Sequence, residues 1–218
     1  MNKSDCTVII AVKDGTNFLA EAVASVRAQS SSVSRIIVID DHSEDEVIPM
    51  CRELEVECIT SNGYGQAAAT NTGIKLVKTE YIAILDHDDW WDKDKTKLQS
   101  EYLDANPSAF GVYSQVFNVY SDNRPTVQFP ATRSFGSSML RRNIFEEVGL
   151  IDETYTSANV IVWWSEVAKR KIRVDSLDIP ALNRRIHDDN FGIMQKDKAE
   201  ENLMLILRAK VKLSRETK

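Results

Sequence analysis

Four short, strand-like segments separated by helical periodicity constrain the fold of this chain more than any other feature. They are residues 7–12, 35–39, 56–60 and 81–85, and they are rich in apolar and β-branched side chains. Between them, apolar residues recur at three- and four-residue spacing, as on one face of an amphipathic helix. Strands that alternate with helices form a mostly parallel sheet with both faces buried. The sequence therefore predicts an α/β fold.

Length and cysteine content fit one domain held together by its core. The chain has 218 residues and 43% hydrophobic content, enough to bury a substantial apolar interior. Its three cysteines, Cys6, Cys51 and Cys58, have neither the spacing of metal ligands nor the density of a disulfide scaffold. We expect free thiols and a single domain over residues 1–218.

The acidic balance of the chain argues against nucleic acid as a partner. There are 33 Asp and Glu against 27 Lys and Arg, whereas binding to a phosphate backbone needs a concentrated positive surface. No stretch approaches the roughly 18 apolar residues of a membrane span. The first residues carry no apolar signal segment. We expect a cytoplasmic protein that does not contact a membrane.

Polar clusters follow three of the four predicted strands. Lys13 and Asp14 follow the first, Asp40 and Asp41 end the second, and residues 86–89 follow the fourth. In open α/β sheets, ligands bind beyond the carboxyl ends of the strands. The three clusters are therefore expected to face one cleft.

The acidic cluster at residues 86–89 suits a hard cation. Asp86, Asp88 and Asp89 can present oxygens to Mg²⁺ or Mn²⁺, while phosphate oxygens and water complete the coordination. A calcium loop is excluded, because Trp91 and Lys97 occupy the positions of its glycine and bidentate glutamate. No G-x-G-x-x-G motif occurs either. A solvated acidic turn is the plain alternative.

An ordered set of segments resembles family-2 glycosyltransferases of the GT-A fold. In the first half these are residues 29–30, 37–43, 62–63, 69–73 and 85–90, and in the second half 136–140, 145–149 and 151–153. The resemblance implies a Rossmann-like single domain whose mostly parallel sheet is flanked by helices, with a small antiparallel acceptor-side part. The nucleotide-sugar-binding half would span about residues 1–105 and the acceptor half about 106–194. A terminal helix, 195–218, would dock on the domain or form a homodimer.

The same resemblance implies a metal-dependent transfer of a sugar, with inversion, from a nucleoside diphosphate donor to an unidentified acceptor hydroxyl. It favours UDP as the nucleotide and Mn²⁺ or Mg²⁺ as the cation. Asp88 would bind the metal, with Asp89 as an alternative ligand and His187 reaching the metal or the diphosphate. The implied donor contacts are Ala11, Val12, Lys13, Asp14, Asp41, Asn71, Asp86 and Arg185. Because neighbours on a strand alternate, one of Arg184 and Arg185 is expected to point away.

The chain departs from the family pattern where a catalytic base is expected. Inverting enzymes of this class use a carboxylate to take the acceptor proton. By resemblance that position falls on Asn159, Val160, Ile161 or Val162, none of which can act as a base. Asp152, Glu153 and Glu166 are the candidate substitutes, and the plain alternative for Glu166 is a surface residue beside Lys169 and Arg170. Otherwise the acceptor needs no strong base, or the chain binds the donor without transferring its sugar.

Two further points bear on the donor. Thr70 stands where the family often has arginine, so a positive contact near the donor is missing. A nucleotidyltransferase is a rival interpretation, since it also combines a parallel sheet with metal-bound carboxylates. It normally needs a glycine-rich, basic loop after the first strand, and residues 13–16 are a poor version of one.

Overall fold

The computed structural model describes residues 3–122, 124–155 and 158–187. One sheet runs through both halves of this part of the chain. Its strands are β1 (Lys3–Val12), β2 (Ser32–Asp40), β3 (Glu57–Thr60), β4 (Tyr81–Asp86), β5 (Trp90–Trp91), β6 (Gly111–Tyr120), β7 (Val127–Phe129), β8 (Ser138–Arg141) and β9 (Val174–Ile186). The helices are α1 (Thr16–Arg27), α2 (Val47–Glu53), α3 (Gln66–Leu76), α4 (Lys95–Ala105), α5 (Ile144–Val148) and α6 (Asn159–Lys169). Neighbouring strands follow the order β3-β2-β1-β4-β8-β6-β9-β5, with β7 beside β6.

The first four strands form a parallel unit at one end of the sheet, and β1 lies inside it between β2 and β4. Successive side chains of β1 enter opposite cores: Val8 and Ile10 pack with α1, α2 and α4, while Ile9 packs with α3, α5 and α6. Burial on both faces explains why this strand is apolar along its length. The predicted α/β class is confirmed.

The second half differs from the sequence prediction in two ways. The pattern over residues 113–120 predicts a strand with antiparallel neighbours. This holds for β7 and β8, but β9 runs parallel to β6. The apolar pattern also indicates two separate strands at 172–176 and 181–186, whereas residues 174–186 form the single strand β9. Pro180, which suggests an interruption, lies where the β6–β9 register is irregular, and such a position tolerates the missing N–H.

The short strand β5 has no counterpart in the sequence prediction. Trp90 and Trp91 pair with Asn183 and Leu182 of β9, which draws the acidic segment after β4 under the end of β9. The Trp91 side chain is buried, and its indole N–H donates to the Gly136 carbonyl at 2.8 Å. Trp91 thus anchors the acidic loop in the core.

The cysteines, possible membrane spans and the terminal helix can also be compared with the sequence predictions. Cys6, Cys51 and Cys58 are free thiols, and burial raises the pKa of Cys6 to about 12. Within the described ranges, no helix is long and apolar enough to cross a membrane. The terminal helix expected over 195–218, with its homodimer contact, lies outside the described residues.

Lys95 is fully buried on α4, which is rare for a lysine. Its Nζ donates to the Ser138 carbonyl at 3.0 Å and lies 3.9 Å from the centroid of the Trp91 ring. Burial lowers the pKa of Lys95 to about 7. The lysine therefore ties α4 to β8 beneath the anchor of the acidic loop.

The titration of Lys95 should make stability depend on pH. Its folded pKa of about 7 lies below the unfolded value of 10.5, so between these values the unfolded chain binds more protons. The free energy of unfolding then rises with pH, by at most about 1.4 kcal/mol per pH unit. In urea unfolding at pH 6.5, 7.5 and 8.5, Lys95→Met should lack this rise relative to the unmodified protein.

Lys97→Met on the exposed side of the same helix is the matched control, and it should retain the rise. Differences between variants remove the contributions of all other titrating groups. Parallel pH profiles for the unmodified protein and Lys95→Met would show that Lys95 stays protonated in the folded state.

Candidate functional site

The loops after β1 and β2 are joined by hydrogen bonds at the carboxyl edge of the sheet. The Lys13 Nζ donates to the backbone carbonyls of Asp41 and His42 at 3.4 and 3.3 Å. The Asp14 amide donates to the Ser43 hydroxyl at 3.0 Å, and the Asp14 carboxylate accepts from the Glu44 amide at 2.7 Å. The first two polar clusters therefore form one rigid rim.

Asp41 is 5% exposed at this rim. Both of its carboxylate oxygens accept from the Gly65 amide at 2.9 Å, just before α3 begins. Gly65 has a φ of 90°, a conformation that favours glycine. Burial raises the pKa of Asp41 above its usual value. Asp40 instead accepts from the Ser43 amide at 3.0 Å and supports the turn.

Ala11 and Val12, predicted to contact a donor, are buried at the end of β1. The Val12 carbonyl accepts from the Asp41 amide at 2.8 Å, and the Ala11 backbone is hydrogen-bonded to the His87 side chain. Because their side chains are buried and these backbone groups are occupied, both residues form the floor beneath the rim.

The carboxylates after β4 lie close together and are each held by a partner. The Gln66 amide donates to Asp86 at 3.0 Å, and the Arg185 backbone N–H donates to Asp89 at 2.9 Å. Asp89 is 3% exposed. Burial, and then the charge of Asp88, raises the pKa of Asp86 to about 6. Burial and the neighbouring carboxylates raise the pKa of Asp89 well above its usual value.

His187 reaches this cluster from the end of β9. Its Nε2 lies 3.2 Å from Asp88 Oδ2, although 99 residues separate the two in sequence. The Phe18 ring lies 5.0 Å from the His187 ring, centroid to centroid, and supports it from the side of α1. The structure thus brings together the two residues that the family resemblance implied as metal ligands.

Few side chains at this site are placed to bind the predicted cation. Among the described residues, no group of three or more His, Cys, Asp or Glu side chains is arranged to hold a metal ion. Asp88 and His187 supply an oxygen and a nitrogen at the mouth of a carboxylate-lined cleft. This donor set fits a cation that takes its other ligands from a bound phosphate and water, as Mg²⁺ commonly does.

Arg184 and Arg185 have opposite orientations, as expected for neighbours on a strand. Arg185 lies 4.7 and 4.8 Å from the ring centroids of Phe18 and Trp90, and it pairs with Glu21. Its Nε donates to the Asp88 carbonyl at 3.0 Å. Arg184 lines the neighbouring cavity. Arg185 thus braces the acidic loop, while Arg184 faces the cavity.

A cavity of about 350 Å³ opens beside the acidic cluster. Asp86, Asp89 and Arg184 form its charged part. Its apolar wall comes largely from the second half of the chain and includes Val116, Phe129, Phe135, Val160 and Leu182. The cavity therefore joins the acidic loop of the first half to side chains of the second.

The segment where the family resemblance places a catalytic base, Asn159–Val162, forms the first turn of α6. Asn159 and Val160 line the cavity. Ile161 and Val162 are not among its described lining residues: Ile161 is 58% exposed, and the Val162 amide donates to the Ala158 carbonyl at 2.9 Å within the helix. The turn of the helix therefore places Asn159 and Val160 at the cavity and carries Ile161 and Val162 away from it.

None of the three candidate acids is among the described residues that line this cavity. Asp152 accepts from the amide and hydroxyl of Thr154 at 2.9 and 2.6 Å, in a local turn. Glu166 lies 3.4 Å from Lys169 and 3.9 Å from Arg170, which matches the plain surface alternative. Glu153 is the one that contacts the first half of the chain, through Asn71.

Glu153 is held by Asn71, a residue predicted to contact the donor. Asn71 is 1% exposed, and its amide nitrogen donates to the Ile151 carbonyl and to Glu153, both at 2.8 Å. Its oxygen accepts from the Ile151 amide at 3.0 Å. This geometry favours a role in joining α3 to residues 151–153 over direct contact with a donor.

Two residues at the site were not singled out from the sequence. Gln66 binds Asp86, and its place as the first residue of a helix after a glycine turn could have indicated it. His87 packs against Gly15, where an added Cβ would overlap the imidazole ring. Burial lowers the pKa of His87. Only the folded chain shows that Gly15 is required for this close approach.

Replacing Asn71 should mainly lower the free energy of unfolding. Asn71→Ala leaves the buried backbone N–H and C=O of Ile151 without their partners, and we expect a loss of roughly 2–4 kcal/mol in the free energy of unfolding. Urea unfolding measures it. Asn62→Ala, an exposed asparagine before the same helix, should change stability by less than about 0.5 kcal/mol. An unfolding free energy unchanged in Asn71→Ala would refute the structural role.

Comparisons with known proteins agree with this geometry. The chain matches the model of glycosyl transferase family 2 over residues 7–158. It is 30% identical over 152 residues to an uncharacterized glycosyltransferase of Rickettsia conorii, covering 68% of this chain and 24% of that protein. It is 25% identical over 195 residues to the Escherichia coli UDP-Glc:alpha-D-GlcNAc-diphosphoundecaprenol beta-1,3-glucosyltransferase WfaP, covering 83% of this chain and 77% of that protein.

Among solved structures, S. aureus TarS 1–349 in complex with UDP-GlcNAc superimposes with a TM-score of 0.73 at 15% sequence identity. That match covers 87% of this chain and 60% of the TarS chain. The chain therefore spans about a quarter of the length of its Rickettsia conorii relative and part of the TarS chain. Since the family match takes in more than half of its residues, the chain belongs to glycosyl transferase family 2 and has the GT-A fold.

Proposed function

We propose that this domain binds a nucleoside diphosphate sugar, with UDP as the nucleotide, and transfers the sugar to an acceptor hydroxyl with inversion. The observation that carries the proposal is the meeting of Asp88 and His187 at 3.2 Å beside Asp86 and Asp89. The S. aureus protein of the same fold has been solved with UDP-GlcNAc, and the Escherichia coli relative is named as a UDP-Glc glucosyltransferase.

The strand order supports a particular placement of the donor. β2 and β4 lie on either side of β1, so the loops that follow them are two strand spacings apart, or about 10 Å. The nucleoside would lie over the β1 and β2 loops, near Lys13, Asp14 and Asp41. The diphosphate would lie over the acidic loop after β4. Arg184 would supply the positive charge on the cavity side.

Asp88 and His187 would hold the divalent cation, Mn²⁺ or Mg²⁺, with Asp89 as an alternative ligand. When bound, the cation would neutralise negative charge on the departing diphosphate. The protein would then hold Asp88 and His187 at the distance that the cation requires. Arg185 supports this arrangement by donating hydrogen bonds to the Asp88 carbonyl and the Asp89 carboxylate.

The cavity beside Asp86 is the proposed place for the donor sugar and the acceptor. Inversion requires the acceptor hydroxyl to approach the sugar opposite the diphosphate, and the cavity walls would fix that approach. Of the three acids considered, Glu153 is the preferred base: it does not line the cavity, but Ile151, two residues before it, does, and Asn71 holds its carboxylate against α3. It would take the proton of the acceptor hydroxyl.

A second candidate function is donor binding without transfer. It is favoured by Asn159, which lines the cavity where the family resemblance implies an acid and cannot act as a base. The acidic loop, the rim and Arg184 would be used in the same way. Only the proton acceptor would be missing.

Donor binding should depend on Asp88. In calorimetric titrations with UDP, Asp88→Asn should weaken the Mn²⁺-dependent affinity at least about tenfold, because it removes a charged metal ligand. Asp94→Asn, an exposed acid at the start of α4 that makes no capping hydrogen bond, should bind UDP like the unmodified protein. Equal manganese dependence in both variants would exclude Asp88 as a ligand.

Glu153 separates the two candidate functions. If it is the base, Glu153→Gln should lower the rate of sugar release or transfer from a UDP-sugar by about 10²-fold or more, with donor affinity unchanged. Glu166→Gln should leave that rate unchanged. A protein that binds the UDP-sugar with Mn²⁺ but neither hydrolyses it nor transfers the sugar across an acceptor panel would favour the binding-only function.

A further inference from the structure

Two stacked aromatic rings flank the buried carboxylate of Asp41. The His42 and Tyr64 rings lie 4.4 Å apart, centroid to centroid, with an interplanar angle of 26°. His42 directly follows Asp41, and Tyr64 directly precedes Gly65, whose amide Asp41 binds. The pair is therefore fixed to the rim by the same hydrogen bonds that hold Asp41.

The His42 backbone is held in an uncommon conformation. Its φ is 56°, in the left-handed region, where residues other than glycine are infrequent although histidine is among the tolerated types. The Lys13 ammonium donates to the His42 carbonyl at 3.3 Å and stabilises this geometry. Such conformations persist where surrounding contacts determine them, and they cluster at binding sites. The lower ring of the stack is thus positioned before any ligand arrives.

Tyr64, the upper ring of the stack, is 82% exposed. One face of its ring contacts His42, and an exposure this high leaves the opposite face open to solvent. When a second planar group covers a large aromatic surface that is held rigidly in water, the free energy falls. The stack can therefore be extended by one more flat ring.

The position of the stack relative to the acidic loop indicates which flat ring would cover Tyr64. Neither His42 nor Tyr64 lines the cavity beside Asp86, so the pair is separate from the proposed sugar and acceptor sites. It lies on the β2 side of β1, about 10 Å from the loop that follows β4. A nucleotide whose diphosphate lies over that loop would extend its base toward the stack.

We propose that His42 and Tyr64 form the platform on which the nucleobase of the donor stacks. The inference rests on the proposed function and adds to it the residues that recognise the base. Every nucleobase has a flat π face, so the platform supplies affinity, while polar groups near Asp41 act on the base edge.

The test measures binding of UDP and of inorganic pyrophosphate, each with Mn²⁺, by calorimetry. Tyr64→Ala removes the upper ring and should weaken UDP binding about tenfold, the effect expected from the loss of one base–aromatic stack. Tyr64→Phe keeps the ring and should bind UDP normally. Pyrophosphate has no base, so its affinity should be the same in all three proteins.

His42→Asn provides an independent variant, because asparagine tolerates the left-handed backbone but offers no ring. It should weaken UDP binding and spare pyrophosphate binding. Unchanged UDP affinity in Tyr64→Ala, in a protein that binds UDP, overturns the platform and leaves the proposed function standing. Equal weakening of UDP and pyrophosphate also overturns it, as an indirect effect on the rim. Absence of UDP binding in the unmodified protein overturns both proposals.

Discussion

The pairing of β5 with β9 positions the groups on which the site depends. Trp91 is buried beneath the acidic loop, and the Arg185 backbone N–H binds Asp89 at the end of the same ladder. These contacts place His187 at 3.2 Å from Asp88. Without them the carboxylates after β4 would remain an acidic turn at the end of a strand. His187 and Arg185 come from the far end of the fold.

The cost of gathering these carboxylates is visible in their electrostatics. Burial and mutual repulsion raise the pKa values of Asp86 and Asp89. A group of acids in such surroundings gains most when positive charge is brought to it, from Arg184 on the cavity wall or from a cation beside Asp88. The same loop is held from beneath by neutral contacts, such as the indole of Trp91 with Gly136. The backbone of the loop is thus held by protein contacts, including the Arg185 guanidinium at the Asp88 carbonyl.

The two sides of the cleft are built differently. The rim over β1 and β2 is a dense network of short-range polar contacts around Lys13 and Asp41, and it carries the exposed Tyr64 ring. The cavity beside Asp86 has a mainly apolar wall from the second half of the chain, together with Asn159. The rigid polar rim is the proposed site of the nucleoside. The apolar wall borders the proposed site of the sugar and the acceptor.

Local patterns predicted much of the first half of the fold. Strands β1, β2 and β4 and their helices follow from apolar runs and three- to four-residue spacing, and the polar residues at their ends could be assigned to one edge. The same patterns could not separate Arg184 from Arg185, or show that Ala11 and Val12 are buried. They also missed β5, because a two-residue strand has no periodicity of its own. These outcomes depend on which segment packs against which.

The sequence by itself determined the α/β class, the acidic loop at a strand end and the family, because each is encoded in residues close together along the chain. Only the tertiary structure decided that Asn71 is a structural link, that Arg185 braces Asp88 while Arg184 faces the cavity, and that His42 and Tyr64 stack beside Asp41. Each of these depends on contacts between segments distant in sequence. Their geometry is set by the packing of the sheet, and local residue preferences do not specify it.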